Sequence, residues 1–271
     1  MLTVNTNVAS LNAQRNLSIS QASLNQSMQR LSSGLRINSA ADDAAGLAIS
    51  QGMNAQVTSL NQDVRNANDA ISMSQVADGA LSQIGNLLTT MRSLATEAST
   101  GTVAQSQRSY LNQEFKALAS EITRIASATT FNGIHVLRSA QTVNIQVGTG
   151  TAGYDRIGVS LAKMDATTLS VNNGFTSAGN AQSMQAKLDA ALSKVDAQRA
   201  KLGTVQNRFT VTVSNLQTAV QNTTAAQSQI QDADVAAETA NLTKANILVQ
   251  AGASILAQAN QTPQLALKLL Q

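Results

Sequence analysis

Few side chains in this 271-residue sequence could do chemistry, and their spacing turns most of them away from catalysis. The run Gly148-Thr149-Gly150-Thr151-Ala152-Gly153 has the glycine spacing of a dinucleotide loop, whose amides would cradle a pyrophosphate at a helix N-terminus. Tyr154 to Leu161 continues with strand alternation where that reading needs a helix, so the segment is expected to be a hairpin turn. Asp232, Asp234 and Glu238 could gather around a divalent cation, yet no glycine or further oxygen ligand follows at calcium-loop spacing. They are expected to favour the positive end of the last helix instead. The single histidine, His135, stands between Ile134 and Val136 and reads as a satisfied structural residue. There is no cysteine, which excludes disulfides, thiolate metal sites and cysteine nucleophiles. No catalytic, metal-binding or cofactor-binding residue is expected, and an enzyme is the class the sequence supports least.

Composition narrows the remaining classes. Eighteen Lys and Arg against fifteen Asp and Glu leave a net charge of +3. Charged residues make up 12% of the chain, about half the usual ~25%. The basic side chains are scattered singly, so no nucleic-acid partner is expected. No apolar run reaches the ~18 residues of a membrane span, so no membrane insertion is expected. The opening residues lack the basic and apolar regions of a signal peptide, which points to the cytoplasm or to export without cleavage. Six aromatic residues leave Leu, Ile, Val, Met and Ala to build the core, which favours narrow helix–helix seams.

The apolar pattern predicts the elements. Leu17, Leu24, Met28, Leu31 and Leu35 form one helical stripe. Met53, Val57, Leu60, Val64, Ala67 and Ile71, then Leu81, Ile84, Leu88, Met91 and Ala95, keep nearly a 3.5-residue repeat, with a weaker stretch at Ser74 and Asp78. A helix over that span would be ~65 Å long and must be sheathed by others. Leu111, Phe115, Leu118, Ile122 and Ile125 supply one such helix, and Leu188, Val195, Leu202, Phe209 and Leu216 another. Leu242, Val249 and Leu256 supply the last, which Pro263 is expected to end or kink. Between them Val143, Ile145 and Val147, then Ile157, Val159 and Leu161, alternate as a β-hairpin at about 140–162, after a turn at Asn132-Gly133 and before a polar loop from Asn172 to Asn180. The fold class is mainly α, a long antiparallel helical bundle or coiled coil with a small β-hairpin region.

Both ends of the chain carry almost no charge. Either they pair with each other inside one domain, or neighbouring copies hold them together, and the continuous stripes favour the second. The assembly seam is accordingly assigned to Leu17, Leu24, Met28, Leu31, Leu242, Val249 and Leu256. Between the first two helices lies a connector containing Gly34, Arg36, Ile37, Asp42, Asp43 and Gly46. Gly34 can end the first helix, Ser39 with Asp42 can cap the second, and Arg36 has Asp42 and Asp43 as possible partners.

That connector, with Val4-Asn5-Thr6-Asn7, Ser10 to Leu17, Arg65-Asn66-Ala67-Asn68-Asp69, Phe131-Asn132-Gly133, Gln146-Val147-Gly148, Glu238 to Leu242 and Leu256 to Gln261, resembles bacterial flagellin along nearly the whole chain. The resemblance implies an inner domain from residues 1–45 and 230–271, disordered until polymerisation, and an outer helical domain over 46–229, without the further outer domains of longer relatives. It implies a structural subunit of the extracellular flagellar filament, exported unfolded through the flagellar type III channel without a cleaved signal. The implied partners are other copies of the chain, the hook-associated and cap proteins, and an export chaperone on the C-terminal segment. Host innate immune receptors are also implied, with epitopes at Arg36, Asp42 and Asp43 and at Leu88, Arg92 and Leu94. The alternative within the family is the hook–filament junction protein, and outside it a cytoplasmic coiled-coil signalling rod.

Overall fold

A computed structural model describes residues 6–269, with side chains over 6–261. Residues 1–5, which begin the first motif, and the side chain of Pro263 lie outside the described residues. Where the period is helical the chain forms α1 (Val8–Ser33), α2 (Ala44–Ser99), α3 (Gln105–Ala128), α4 (Ala178–Gln231) and α5 (Val235–Leu269). Pro263 does not end α5, because a missing N–H removes one hydrogen bond and leaves the bonds on either side. The chain divides into two compact units, Met1–Ala55 with Asn222–Gln271, and Gln56–Gln221, so α2 and α4 contribute residues to both.

The core of the Gln56–Gln221 unit is a seam of strict three–four spacing. On α2 it runs Ala67, Ala70, Ser74, Ala77, Leu81, Ile84, Leu88, Met91, Ala95 and Ala98, all at most 1% exposed. The seam therefore does not weaken at Ser74. Its hydroxyl returns a bond to the Ala70 carbonyl at 2.8 Å, and the small residues there replace large ones without loss of register. Asp78 sits beside the seam and receives Arg199 at 2.8 Å. On α4 all five residues expected at sevens are buried, joined by Ala181, Met184, Ala191 and Gln198. Asp78 meets Arg199, Arg92 meets Asp189 and Ser99 meets Gln185, an order that makes α2 and α4 antiparallel. Three buried polar groups escaped the periodicity. Gln198 donates to the Ser160 carbonyl at 2.7 Å, and Arg108 donates to the carbonyls of Ala98 and Val103 at 2.9 and 3.0 Å, satisfying the open C-terminal end of α2. Asp63 is the third.

Strands β3 (Gln141–Gln146) and β4 (Arg156–Leu161) form the expected antiparallel hairpin, with Val143 opposite Val159 and Ile145 opposite Ile157. The glycine-rich run is its turn. Gln146 Nε2 donates to the carbonyls of Gly148 and Gly150 at 2.6 and 2.7 Å, and Asp155 accepts from the Ala152 amide at 3.0 Å. A second, shorter hairpin joins β1 (Thr130–Phe131) to β2 (Ile134–His135) through Asn132 and Gly133, whose φ of 48° and 79° place both in the left-handed region that such turns require. His135 is only partly satisfied, since its buried Nδ1 has no hydrogen-bond partner. The polar loop is also less polar than its composition. Phe175 is 1% exposed and packs edge-on against Phe115 at 5.3 Å, while Gly179 and Asn180 already belong to α4.

Asp63 on α2 is buried, and its Oδ2 has no hydrogen-bond partner. Burial, then the charge of Asp155, raises its carboxyl above the ordinary 3.8. A group with a raised folded-state pKa stabilises fully below the unfolded value and loses that contribution as pH rises through the folded one. Asp63→Asn is therefore expected to melt higher than the wild type at neutral pH, with the gap closing toward pH 3.8. Thermal unfolding across that range checks the sign.

Candidate assembly surface

In the unit formed by the two ends, α1 and α5 lie antiparallel along each other. Asn7 Nδ2 donates to the Ala259 carbonyl at 2.8 Å, and Ser10 to Asn260 at 2.8 Å. At the other end Arg30 stands 3.9 Å from Glu238. The ends thus pair within one chain, the arrangement that the continuous stripes had disfavoured. The inward row of α1 is Ser10, Ala13, Leu17, Ser20, Leu24, Ser27 and Leu31, and that of α5 is Glu238, Leu242, Ala245, Val249, Gly252, Leu256 and Ala259. Gly252 faces Leu17, where an added Cβ would stand 3.3 Å from Leu17 Cδ1. Continuing that register sets Leu24 opposite Ala245, and Ser27 opposite Leu242, so from Ala13 to Ser27 large residues meet small ones.

One residue assigned to the assembly seam stands off this intrachain row. Met28 is 57% exposed, because the three–four alternation through Leu24 and Leu31 passes through Ser27, and one further residue rotates the side chain ~100° away. Leu17, Leu24, Leu31, Leu242, Val249 and Leu256 are half-buried on the inward face. A seam built of alternating small residues is thin and leaves the outer faces uncovered. Val8, Leu11, Ile19, Ile247 and Ile255 are each 56–60% exposed. The signal that could have located the true row is the spacing of the small residues at Ala13, Ser27, Ala245 and Gly252 rather than that of the leucines.

The connector is tied by backbone as much as by charge. Gly34 ends α1 at φ 71°, its amide donating to the Arg30 carbonyl. The Arg36 amide donates to the Gln231 carbonyl at 2.7 Å and the Ala233 amide donates to the Gly34 carbonyl at 2.9 Å, an isolated bridge that sets Leu35 opposite Asp232. Arg36 does not pair with Asp42 or Asp43. Its guanidinium donates to the Ile230 carbonyl at 2.7 Å, at the end of α4, where a cation meets the negative end of the helix. Asp42 accepts from the backbone and hydroxyl of Ser39 and the amide of Asn38, which hold its carboxyl below the usual range. The residue that caps α2 is Asp43, which accepts from the Gly46 amide at 2.9 Å, not the pair formed by Ser39 and Asp42. Asp234 likewise caps α5 through the amides of Ala236 and Ala237, and Glu238 follows in its first turn, as expected of these carboxylates.

Ile37 is 1% exposed beneath this connector, and Gly46 packs closely on it. A Cβ at residue 46 would stand 2.5 Å from Asp43 Oδ2 and 2.6 Å from Ile37 Cδ1. Gly46→Ala must displace the capping carboxylate or the isoleucine, so the variant is expected to lose about 1–2 kcal/mol. Amide exchange at residues 44–47, compared with wild type, reads the loosened cap. In the other unit Leu88 is 0% exposed, Leu94 is half-buried, and exposed Arg92 is held by Asp189 at 2.6 Å. Leu88 is therefore core rather than surface in the folded chain, because it occupies a seam position of α2.

Paired ends that still present apolar faces, attached to a helical unit with its own core, define a structural protein built to join others. Residues 4–142 match the bacterial flagellin N-terminal helical region and residues 185–270 the bacterial flagellin C-terminal helical region. A flagellin of Halalkalibacterium halodurans is 42% identical over 272 residues, spanning 99% of each chain. The crystal structure of Bacillus cereus flagellin covers 56% of this chain and 88% of its own at 30% identity, with a TM-score of 0.51. A putative flagellar hook-associated protein from Vibrio parahaemolyticus shares the fold at a TM-score of 0.60 over 70% of this chain and all of its own, at 11% identity. The chain belongs to the bacterial flagellin family.

Proposed function

We infer that this flagellin works as the repeating subunit of the extracellular flagellar filament by burying the outer faces of α1 and α5 against neighbouring copies. The observation that carries this reading is the exposure of Val8, Leu11, Ile19, Ile247 and Ile255 on helices that are already paired with each other. A subunit in an open helical polymer makes heterologous contacts that do not close, so the faces it offers need not match themselves. In this reading residues 1–45 and 230–271 form the inner part of the filament and 46–229 the outer part. The thin α1–α5 seam supports an end pair that opens readily, so that the chain passes unfolded through a type III export channel and its ends are protected only on assembly. Cap and hook-associated proteins meet the same end helices, an export chaperone holds the C-terminal segment, and immune receptors read the connector around Arg36, Asp42 and Asp43 or the helix around Arg92.

The test is polymerisation of purified full-length chain onto filament seeds, followed by electron microscopy. Long filaments are expected. Growth that stops after a short cap on the seed supports the hook–filament junction instead. Limited proteolysis before and after polymerisation, with fragments mapped by mass, is expected to cut both ends in the monomer and neither in the filament.

A further inference from the structure

Basic residues that look scattered along the sequence are gathered by α4 into a row. Lys187, Lys194, Lys201 and Arg208 recur at seven-residue spacing, each one place before the buried Leu188, Val195, Leu202 and Phe209. All four are exposed. At 1.5 Å per residue the row is about 31 Å long, with a cation every ~10.5 Å. Residues three and four places from each cation include no carboxylate. The acids nearest in sequence, Asp189 and Asp196, lie two places on, about 200° around the helix, and Asp189 is engaged by Arg92 at 2.6 Å.

The chain before and after the hairpin turn widens this row. Lys163 lines a cleft of about 300 Å³ together with Lys194 and Lys201. Arg156 and Tyr154 line another of about 660 Å³ with Arg208. Two acids lie at this edge: Asp165 pairs with Lys163 at 3.0 Å, and Asp155 is turned into the hairpin turn, where it accepts from the Ala152 amide. Lys194 donates to the Thr168 carbonyl at 3.3 Å. Lys187, Lys201 and Arg208 have no ion-pair partner among the described residues.

We propose that this face of α4 binds a linear acidic polysaccharide, whose sulfates or carboxylates pair with the row of cations. Spacing decides between polyanions. Duplex DNA offers one charge per ~1.7 Å of axis, about six times denser than these cations, and a single strand needs stacked aromatics of which only Tyr154 is present here. A linear acidic polysaccharide, whose anions are carried along a single chain of sugars, is sparser than the duplex. Ala190, Ala197 and Thr204 run beside the cations at the same seven-residue spacing, so the sugar chain meets no bulky side chain on that flank. Lysine ammonium groups on flexible stems suit sulfate or carboxylate approaching from varied directions, with no need for a planar fork.

The experiment uses the full-length chain, as dilute monomer and as filament, titrated with heparin, polygalacturonate, neutral dextran, duplex DNA and phosphatidylglycerol vesicles. Heparin and polygalacturonate separate a sulfate from a carboxylate preference. One or both are expected to bind monomer and filament alike, more weakly as salt rises, and dextran is expected not to bind. The variant Lys187→Gln, Lys194→Gln, Lys201→Gln, Arg208→Gln is expected to lose about 100-fold in affinity, each exposed ion contact supplying a fraction of tenfold. Lys116→Gln on α3 is expected to bind as wild type. Circular dichroism verifies that the quadruple variant is helical, and the Lys194→Gln, Lys201→Gln pair, with an expected loss of about tenfold, serves if it is not. Undiminished binding by the variants, tighter binding to DNA or vesicles than to either polysaccharide, or binding by monomer that the filament lacks would each overturn the proposal. The monomer arm stands whether or not the chain polymerises.

Discussion

Leu88→Ala is expected to lower the unfolding free energy of the Gln56–Gln221 unit by about 2–5 kcal/mol. Leu88 is 0% exposed, as are its seam neighbours Leu81, Ile84 and Met91 on α2. Removing one methine and two methyl carbons there forfeits their transfer free energy and leaves a cavity that long packed helices close poorly. Arg92→Ala provides the contrast one turn away. Its ion pair with Asp189 joins side chains that are 51% and 53% exposed, so the expected loss is at most about 1 kcal/mol. Urea unfolding followed by helical dichroism measures both. A loss below about 1 kcal/mol for Leu88→Ala would mean that the seam yields where the structure has it closed.

These two residues also show how far the sequence could be read. Leu88 was legible as a seam position because large apolar residues at three–four spacing have only one way to be buried on a helix. The α4 heptads and the alternation of the hairpin strands were legible from their periods, and those strands pair as a hairpin. What the period does not encode is the small partner. Ser27, Ala245 and Gly252 hold the inward row of the end helices, and only three-dimensional register shows that Met28 is displaced from it. Polar capping was partly legible. A carboxylate near a helix start is a signal, but whether Asp42 or Asp43 takes the cap depends on the turn that Ser39 and Asn38 make around Asp42. Arg108 carried no such signal, because its carbonyl partners are backbone atoms of another helix and its loop. The cations of α4 look scattered until helical geometry places every seventh residue on one face.

The double variant Ile247→Ser, Ile255→Ser is expected to leave the monomer as stable as wild type and to raise the critical concentration for polymerisation by about 100-fold. Both isoleucines are on α5 and are 60% and 56% exposed in the single chain. Their loss therefore removes little packing from the α1–α5 pair. Isoleucine and serine have similar helix propensity, so the helix itself is not weakened. In the filament, burial of the remaining apolar surface contributes about 1–1.5 kcal/mol for each side chain, and two such losses amount to roughly 2–3 kcal/mol per added subunit. Sedimentation of seeded reactions gives the critical concentration directly as the chain left in the supernatant. A hundredfold rise with unchanged monomer dichroism locates the subunit contact on the outer face of α5. An unchanged critical concentration would place these isoleucines in solvent in the polymer as well, and the driving force would then have to come from the Gln56–Gln221 unit.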